Sequence, residues 1–132
     1  MDKSKVNFSK PMLIQSVAFK DVFLRMDGKG ISTACGAGAG KVNCQRSMAP
    51  TGAFKVQKQT DGTFTIESSK YPGVFLRMDG NGIHTFAGSG SGRVNCQFGA
   101  SAWERFKLHE QSDGSYTIES AAFPNVFLRM DG

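Results

Sequence analysis

The stretch VFLRMDG occurs three times in this chain, at residues 22–28, 74–80 and 126–132. The spacing between successive copies is 52 residues in both intervals. Residues 14–65 also align with residues 66–117 without a gap. A sequence that repeats at a fixed period of about this length indicates one small structural unit copied along the chain. The repeat therefore decides the architecture before any local pattern is considered.

Within one copy, the pattern is that of short strands joined by turns. In the middle copy, residues 71–78 alternate in character, so we expect Val74, Leu76 and Met78 to face the core. The turn-forming residues are Gly, Asn and Asp, as in residues 79–82 and 112–115. Because no segment has helical periodicity, we predict an all-β fold with four strands per unit. The other strands predicted in this copy are residues 93–97, 103–109 and 116–120.

The order of motifs within a unit resembles that of a known fold. One unit of this chain is similar to one repeat of the fascin-like actin-crosslinking β-trefoils. The motifs that carry this similarity are, in order, FLRMDG, G(K/R)VNCQ, WERFKL and DGSYTIES. The stretch IESSKYPGVFLR, residues 66–77, also resembles the arabinose-binding trefoil modules of arabinofuranosidases. IESAAFPNVFL, residues 118–128, is similar to the last repeats of interleukin-type trefoil cytokines. The resemblance implies a β-trefoil with pseudo-three-fold repeats, which supports a fold more strongly than a function.

The length fits one β-trefoil domain over residues 1–132. We expect its units to be residues 22–73, residues 74–125, and a shortened third unit split between the C-terminus (126–132) and the N-terminus (1–21). If the chain is a fragment of a longer repeat protein, we expect open barrel edges that pair with another copy; otherwise we expect a monomer.

Composition limits the partners and the compartment. The net charge is +5, which suits an acidic partner, although the basic residues are scattered. No apolar run approaches a membrane span, and we expect no nucleic-acid partner. Cys44 and Cys96 are repeat equivalents, and Phe8 aligns with them, so we expect an inward-facing position. Cys35 has Ala87 as its equivalent and therefore does not belong to a repeated disulfide bridge. Unpaired cysteines favour a reducing, cytoplasmic location.

Motifs for catalysis and for metals are weak or incomplete. The tract GAGAGK at residues 36–41 is followed by Val42, whereas a phosphate-binding loop needs Ser or Thr and a helix there. The Asp-Gly turns lack the further ligands of a calcium loop, and neither histidine lies near a cysteine in sequence. No nucleophile with a neighbouring base is visible. We therefore expect no enzyme activity, no cofactor and no metal.

A set of polar residues recurs with the repeat, on the face of the strands opposite the predicted core. Two interpretations stay open at this point. The arginine and aspartate side chains can form surface ion pairs that hold a turn, or they can form a shallow polar ligand site in each unit. Several weak sites on one rigid body would favour a polymeric ligand. The candidate ligand-binding residues are Arg25, Arg77, Arg129, Asp27, Asp79, Asn43 and Asn95.

From the sequence we expect a non-catalytic binding module. The resemblance to fascin-like repeats implies a cytoplasmic protein that binds or bundles actin filaments. The repeated polar residues and the resemblance to arabinose-binding modules favour the alternative of a lectin that binds a glycan polymer. A third possibility, a cytokine-like receptor ligand, is disfavoured by the polar start of the sequence.

Overall fold

The computed structural model describes residues 8–33, 38–46, 53–85 and 90–131. In these residues the chain forms nine β-strands and one turn of 3-10 helix, Ala102–Glu104. All strand pairs are antiparallel. The strands are β1 (Met12–Leu13), β2 (Phe23–Asp27), β3 (Lys41–Gln45), β4 (Ala53–Lys58), β5 (Phe64–Ser68), β6 (Val74–Asp79), β7 (Arg93–Phe98), β8 (Phe106–Glu110) and β9 (Tyr116–Ser120).

The strands form hairpins that join into one curled sheet and one separate pair. The large sheet has the order β1-β4-β5-β6-β7, with β8 paired to both β5 and β9. Strands β2 and β3 form a two-stranded sheet. The large sheet curls into a half-barrel. The predicted all-β fold with antiparallel strands is confirmed.

The same backbone pairings recur at the spacing of the sequence repeat. One pairing joins the residues just before a VFLRMDG to its phenylalanine. The other joins neighbouring hairpins, so that β1 contacts β4 in the same way as β5 contacts β8. The first pairing is found at Gln15–Phe23, Glu67–Phe75 and Glu119–Phe127, and the second at Met12–Phe54 and Phe64–Phe106.

The turn before each VFLRMDG also has one geometry in all three copies. A serine hydroxyl accepts the backbone N–H three residues later, and the residue before the valine has a positive φ. That residue is Asp21, Gly73 or Asn125, with φ of 64, 86 and 70°. Asp, Gly and Asn are the residues that adopt this conformation most readily, so different sequences build the same turn. The serine bonds are Ser16 to Phe19 (3.0 Å), Ser68 to Tyr71 (2.9 Å) and Ser120 to Phe123 (3.0 Å).

The core is apolar and alternates along the repeated strands, as predicted for Val74, Leu76 and Met78. These three side chains are at most 2% exposed. Burial of this kind is the main source of stability in a domain of this size. Among the described residues the buried apolar side chains are Leu24, Met26, Phe54, Val56, Ile66, Val74, Leu76, Met78, Cys96 and Phe106.

Two predicted strand boundaries were wrong. Strand β6 begins at Val74 rather than at residue 71, because the preceding residues form the turn held by Ser68. The strand predicted from Trp103 begins at Phe106, because Glu104 ends a 3-10 turn in which its carboxylate accepts the N–H of Ser101 at 2.7 Å. The turns at 79–82 and 112–115 are confirmed. From the glycine-rich stretch AGSGSG, residues 87–92, we predict a loop; its residues 87–89 lie outside the described residues.

Within the described ranges, no helix is long and apolar enough to cross a membrane.

The close packing of neighbouring units gives a test of the fold at two glycines. A Cβ on Gly40 would lie 2.5 Å from Cys96 Sγ and 2.8 Å from the backbone oxygen of Asp27, whereas a Cβ on Gly30 would meet nothing within 4 Å. Both glycines have a positive φ. We expect Gly30→Ala to cost about 1 kcal/mol for the left-handed backbone. Gly40→Ala should cost about 2 kcal/mol more, because the backbone contact cannot relax. Urea unfolding measures both, and equal costs would contradict this packing.

A second test concerns the carboxylate that anchors the third copy. Glu119 accepts the backbone N–H of Asn125 at 2.6 Å and lies 2.6 Å from His109 Nε2. These two contacts, in that order, hold the pKa of Glu119 below its ordinary value of 4.5. A carboxyl group whose pKa is lower in the folded than in the unfolded chain stabilises the fold at any pH above its ordinary pKa. That stabilisation is lost as the pH falls through the lower pKa of the folded chain.

We therefore expect the free energy of unfolding to decrease as the pH is lowered below the ordinary pKa of Glu119. The decrease should be less steep in Glu119→Gln. Urea unfolding at a series of acidic pH values measures the slope. Glu110→Gln, at an exposed position of β8, is the matched control and should keep the wild-type slope. Identical slopes in all three proteins would contradict the role of Glu119.

Candidate functional site

Arg77, on the repeated strand of the middle copy, is buried rather than placed at the surface. Its side chain is on the face opposite the core, as predicted, but that face is covered and the residue is 2% exposed. The guanidinium lies 4.6 Å from the centre of the Trp103 ring. Nη1 donates to Asn95 Oδ1 at 3.3 Å, and Nε lies 3.7 Å from Glu104 Oε2. The distances fit a cation–π contact and an ion pair.

Glu104 supplies the negative charge for this arginine from inside the protein. The residue is 0% exposed. One carboxylate oxygen accepts the backbone N–H and the hydroxyl of Ser101, and the other accepts Gln97 Nε2 at 3.2 Å. We call Arg77, Asn95, Gln97, Trp103 and Glu104 the Arg77 cluster. Since both oxygens are bonded and the pair is buried, the cluster holds β6, β7 and the 3-10 turn together.

Arg25, the equivalent residue of the first copy, has a different environment. Its Nη2 lies 3.7 Å from Asp27 Oδ2, and the two side chains are 26% and 34% exposed. An exposed pair of this kind contributes less than about 1 kcal/mol. In sequence, Thr51 and Gly52 stand where the middle copy has Trp103 and Glu104. The first copy therefore lacks the ring and the carboxylate that enclose Arg77.

The two predicted aspartates form turns. Asp27 Oδ1 accepts the N–H of Lys29 and Asp79 Oδ1 accepts the N–H of Asn81, both at 3.0 Å. This is the usual way in which an aspartate fixes a tight turn. The interpretation of Arg25 and Asp27 as an ion pair beside a turn fits the first copy. In the middle copy the ion-pair partner of Arg77 within 4 Å is Glu104.

Arg129, in the third copy, is exposed. A Cβ on Gly90 would lie 3.1 Å from Arg129 Cδ, and a Cβ on Gly38 would lie 2.9 Å from Arg77 Cδ. A glycine of one unit therefore lies against the arginine of the next unit in both cases. The contact is the same, but only Arg77 is buried.

Two cavities flank Arg129 and bring predicted site residues together. The first has a volume of about 270 Å³ and is lined by Asp79, Arg93 and Arg129. The second has a volume of about 370 Å³ and is lined by Asn43, Arg129 and Asp131. We call Asn43, Asp79, Arg93, Arg129 and Asp131 the Arg129 surface. Its members come from strands β3, β6 and β7 and from the third VFLRMDG.

The predicted site residues thus fall into three groups. Arg129, Asp79 and Asn43 meet at the Arg129 surface, and Arg77 and Asn95 are enclosed in the Arg77 cluster. Arg25 and Asp27 form the exposed ion pair of the first copy. Sequence reasoning missed Trp103, Glu104 and Gln97 as partners of Arg77, and Arg93 as a cavity residue. The first two were visible as positions where the middle copy departs from the repeat.

Of the two cysteines predicted to face inward, Cys96 is buried and Cys44 is half-buried. Cys96 is 0% exposed, and burial raises its pKa to about 11. Cys96 Sγ lies 3.7 Å from the backbone oxygen of Asp27, and Cys44 Sγ lies 3.5 Å from that of Asp131. Phe8, which aligns with them in sequence, instead packs 5.2 Å from the ring of Phe64. Cys35 and Asn7 lie outside the described residues.

No group of three His, Cys, Asp or Glu side chains in the part of the chain that the structure describes could hold a metal ion.

The chain matches no protein-family model, no curated protein and no solved structure. Its function must therefore be argued from its own residues.

The Arg77 cluster gives a direct stability test. We expect Glu104→Gln to lower the free energy of unfolding by about 3 kcal/mol, because it leaves a buried guanidinium without its charged partner. Glu110→Gln removes an exposed carboxylate and should change stability by less than about 0.5 kcal/mol. Urea unfolding compares the two variants with the wild type. A cost for Glu104→Gln as small as that of the control would contradict a structural role for the ion pair.

Proposed function

We propose that the chain is a non-catalytic binding module with the β-trefoil fold. The recurrence of the same pairings at 52 residues supports this architecture. So do the contacts of Cys96 with the first copy and of Cys44 with the third, because units that succeed one another around an axis make such contacts in turn. Two of the sequence departures from the repeat, Trp103 and Glu104, are side chains that contact Arg77.

The observation that carries the proposal is the difference between Arg77 and Arg129. Both occupy the same position of an identical heptapeptide, but Arg77 is 2% exposed and bonded to an internal carboxylate. Arg129 is exposed and shares a cavity with Arg93, which is also exposed. An exposed guanidinium forms charge-assisted hydrogen bonds with carboxylate, sulfate or phosphate groups, so the Arg129 surface suits an acidic group of a ligand.

An actin filament is the ligand that we propose first. The fascin-like order of motifs supports it, and so does the net charge of +5, because an acidic filament attracts a basic protein. Cys44 and Cys96 are both free thiols, which suits the cytoplasm, where filaments of this kind are found. A filament presents many equivalent sites, so weak contacts by several basic residues add up.

A lectin function is the second candidate, and the shape of the Arg129 surface favours it. A cavity of about 270 Å³ that combines two guanidinium groups with a carboxylate is of the size and polarity that a single sugar residue needs. A sulfated or uronic-acid glycan would provide both the acidic group and the hydroxyl groups. The acidic group is the chemistry that both candidates share.

Co-sedimentation with filamentous actin tests the first candidate at about 50 mM and about 150 mM salt. We expect the protein to pellet with filaments at the lower salt and less at the higher salt. Arg129→Gln should weaken binding about tenfold, which corresponds to the loss of one charge-assisted hydrogen bond. Arg25→Gln is the matched control, because it removes the same charge from the same repeat position outside the cavities.

A glycan array with neutral, sulfated and uronic-acid sugars tests the second candidate with the same two variants. Binding to acidic glycans that Arg129→Gln weakens, without pelleting on actin, would move the proposal to the lectin. No pelleting at low salt and no glycan bound would refute both. Equal losses for Arg25→Gln and Arg129→Gln would show that overall charge, and not the Arg129 surface, determines binding.

A further inference from the structure

The turn that follows β6 has the same geometry as the turn that follows β2, but the two turns differ in one reactive residue. In both turns the aspartate that ends the strand accepts the backbone N–H two residues later at 3.0 Å. The next glycine has a φ of 81° in the first copy and 84° in the middle copy. The pair at the tip is Lys29-Gly30 in the first copy and Asn81-Gly82 in the middle copy.

An asparagine that precedes a glycine can react with its own backbone. The backbone nitrogen of the second residue attacks the carboxamide carbon of the asparagine, and the product is a five-membered ring. Glycine favours this attack because it has no side chain to obstruct the approach and because its backbone is conformationally free. A β-branched residue after the asparagine opposes it. In this sequence Asn81 is the one asparagine that precedes a glycine.

The structure leaves the reacting groups of this pair accessible. Asn81 and Gly82 are both exposed, and a Cβ on Gly82 would meet nothing within 4 Å. The turn is held by the bond from Asn81 N–H to Asp79 and by the bond from Ile83 N–H to the Gly80 oxygen at 3.1 Å. Among the described residues, the N–H of Gly82, between these two bonds, donates to no backbone oxygen. The peptide group that must rotate for the attack is therefore not fixed by a bond of its own.

The two asparagines of the repeated VNCQ motif are held inside paired strands. Asn95 Oδ1 accepts Arg77 Nη1 at 3.3 Å, and the N–H of the next residue, Cys96, donates to a backbone oxygen at 3.1 Å. Asn43 and Cys44 both lie in β3 and pair with β2. Because strand pairing fixes the backbone on both sides, the nitrogen that follows each of these asparagines is not placed to attack.

Asn125 provides a comparison within the same chain, because it is as exposed as Asn81 but has a different neighbour. The next residue is Val126, whose branched side chain crowds the attacking nitrogen. The N–H of Val126 also donates to the Phe123 oxygen at 3.1 Å. Exposure alone therefore does not make an asparagine of this chain reactive.

We propose that Asn81 is a site of spontaneous deamidation through a succinimide formed with Gly82. The backbone nitrogen of Gly82 gives up its proton to water and forms a bond to Cγ of Asn81. The bond from Cγ to Nδ2 breaks, and Nδ2 leaves as ammonia. One water molecule then adds to either carbonyl carbon of the ring and opens it, which gives aspartate or isoaspartate. Water is the co-reactant, and neither product differs from asparagine in oxidation state.

The reaction places a negative charge next to the Arg129 surface. Asp79 and Ile83, two residues to either side of Asn81, line the cavity of about 270 Å³ together with Arg93 and Arg129. A carboxylate at residue 81 lowers the positive potential there and opposes an acidic ligand. This consequence rests on the proposed function, whereas the reaction itself does not. Binding at the Arg129 surface would then decline as the protein ages.

The test follows the mass of the full chain during storage at physiological temperature and mildly alkaline pH. Exchange of the carboxamide nitrogen for oxygen raises the mass by about 1 Da per chain. We expect peptide mapping to locate this change at Asn81, as a mixture of aspartate and isoaspartate. The rate at Asn81 should be at least about tenfold that at Asn125, which corresponds to a barrier lower by about 1.4 kcal/mol.

Two variants separate this pathway from general hydrolysis. Asn81→Lys introduces the residue that the first copy has in the same turn, so it should fold as the wild type does and show no change of mass at this position. Gly82→Ala keeps the asparagine but adds a side chain to the attacking residue, and it should slow the loss of ammonia about tenfold.

Equal rates at Asn81 and Asn125 would overturn the proposal. Aspartate without isoaspartate, or an unchanged rate in Gly82→Ala, would indicate direct hydrolysis by water and would overturn the role of Gly82. These readouts need neither actin nor a glycan, so their failure is distinct from failure of the proposed function.

The effect on binding is measured with Asn81→Asp, which has the structure of one product. In whichever of the actin and acidic-glycan assays detects binding, this variant should bind about threefold more weakly than the wild type, as expected for one added surface charge. Asn81→Lys is the control of opposite charge and should bind at least as well as the wild type. Equal binding by all three proteins would overturn the consequence for the Arg129 surface.

Discussion

The neighbours of each VFLRMD strand decide what the unit buries and what it exposes. Leu24 and Leu76 lie opposite Cys44 of β3 and Cys96 of β7 and are almost fully buried, whereas Leu128 is half-buried. The seven residues are identical in the three copies, so local propensity cannot cause the difference. It arises from long-range neighbours, which commonly outweigh the preference of a strand for its own side chains.

The repeated arginine illustrates the same constraint at the level of charge. In the middle copy, Trp103 and Glu104 enclose Arg77, so we expect the loss of either charged partner to destabilise the fold. In the first copy, Arg25 is part of an exposed pair of small energetic value. Arg129 is open to solvent. One residue type thus has a buried structural role in one unit and an exposed position in another.

The sequence predicted those features that depend on nearest neighbours in the chain. The alternation of Val74, Leu76 and Met78 and the Asp-Gly turns followed from spacing alone. Sequence reasoning could not predict that the face of β6 opposite the core is covered, because Trp103 and Glu104 reach Arg77 only through the fold. The alternation after Trp103 was misleading, since the bonds from Ser101 to the carboxylate of Glu104 close a 3-10 turn there. The Arg129 surface combines residues from four separate segments of the chain, and no local pattern indicates it.

In a repeated unit, a few substitutions around one copy are enough to change the surroundings of its arginine. The backbone contacts are kept between copies, since Gly90 lies against Arg129 as Gly38 lies against Arg77, and Cys44 contacts Asp131 as Cys96 contacts Asp27. The side chains around the arginine are not kept, because Trp103 and Glu104 cover Arg77 while Arg129 is exposed. In a repeat protein, the positions where the copies differ in their surroundings are therefore the first places to look for a binding site.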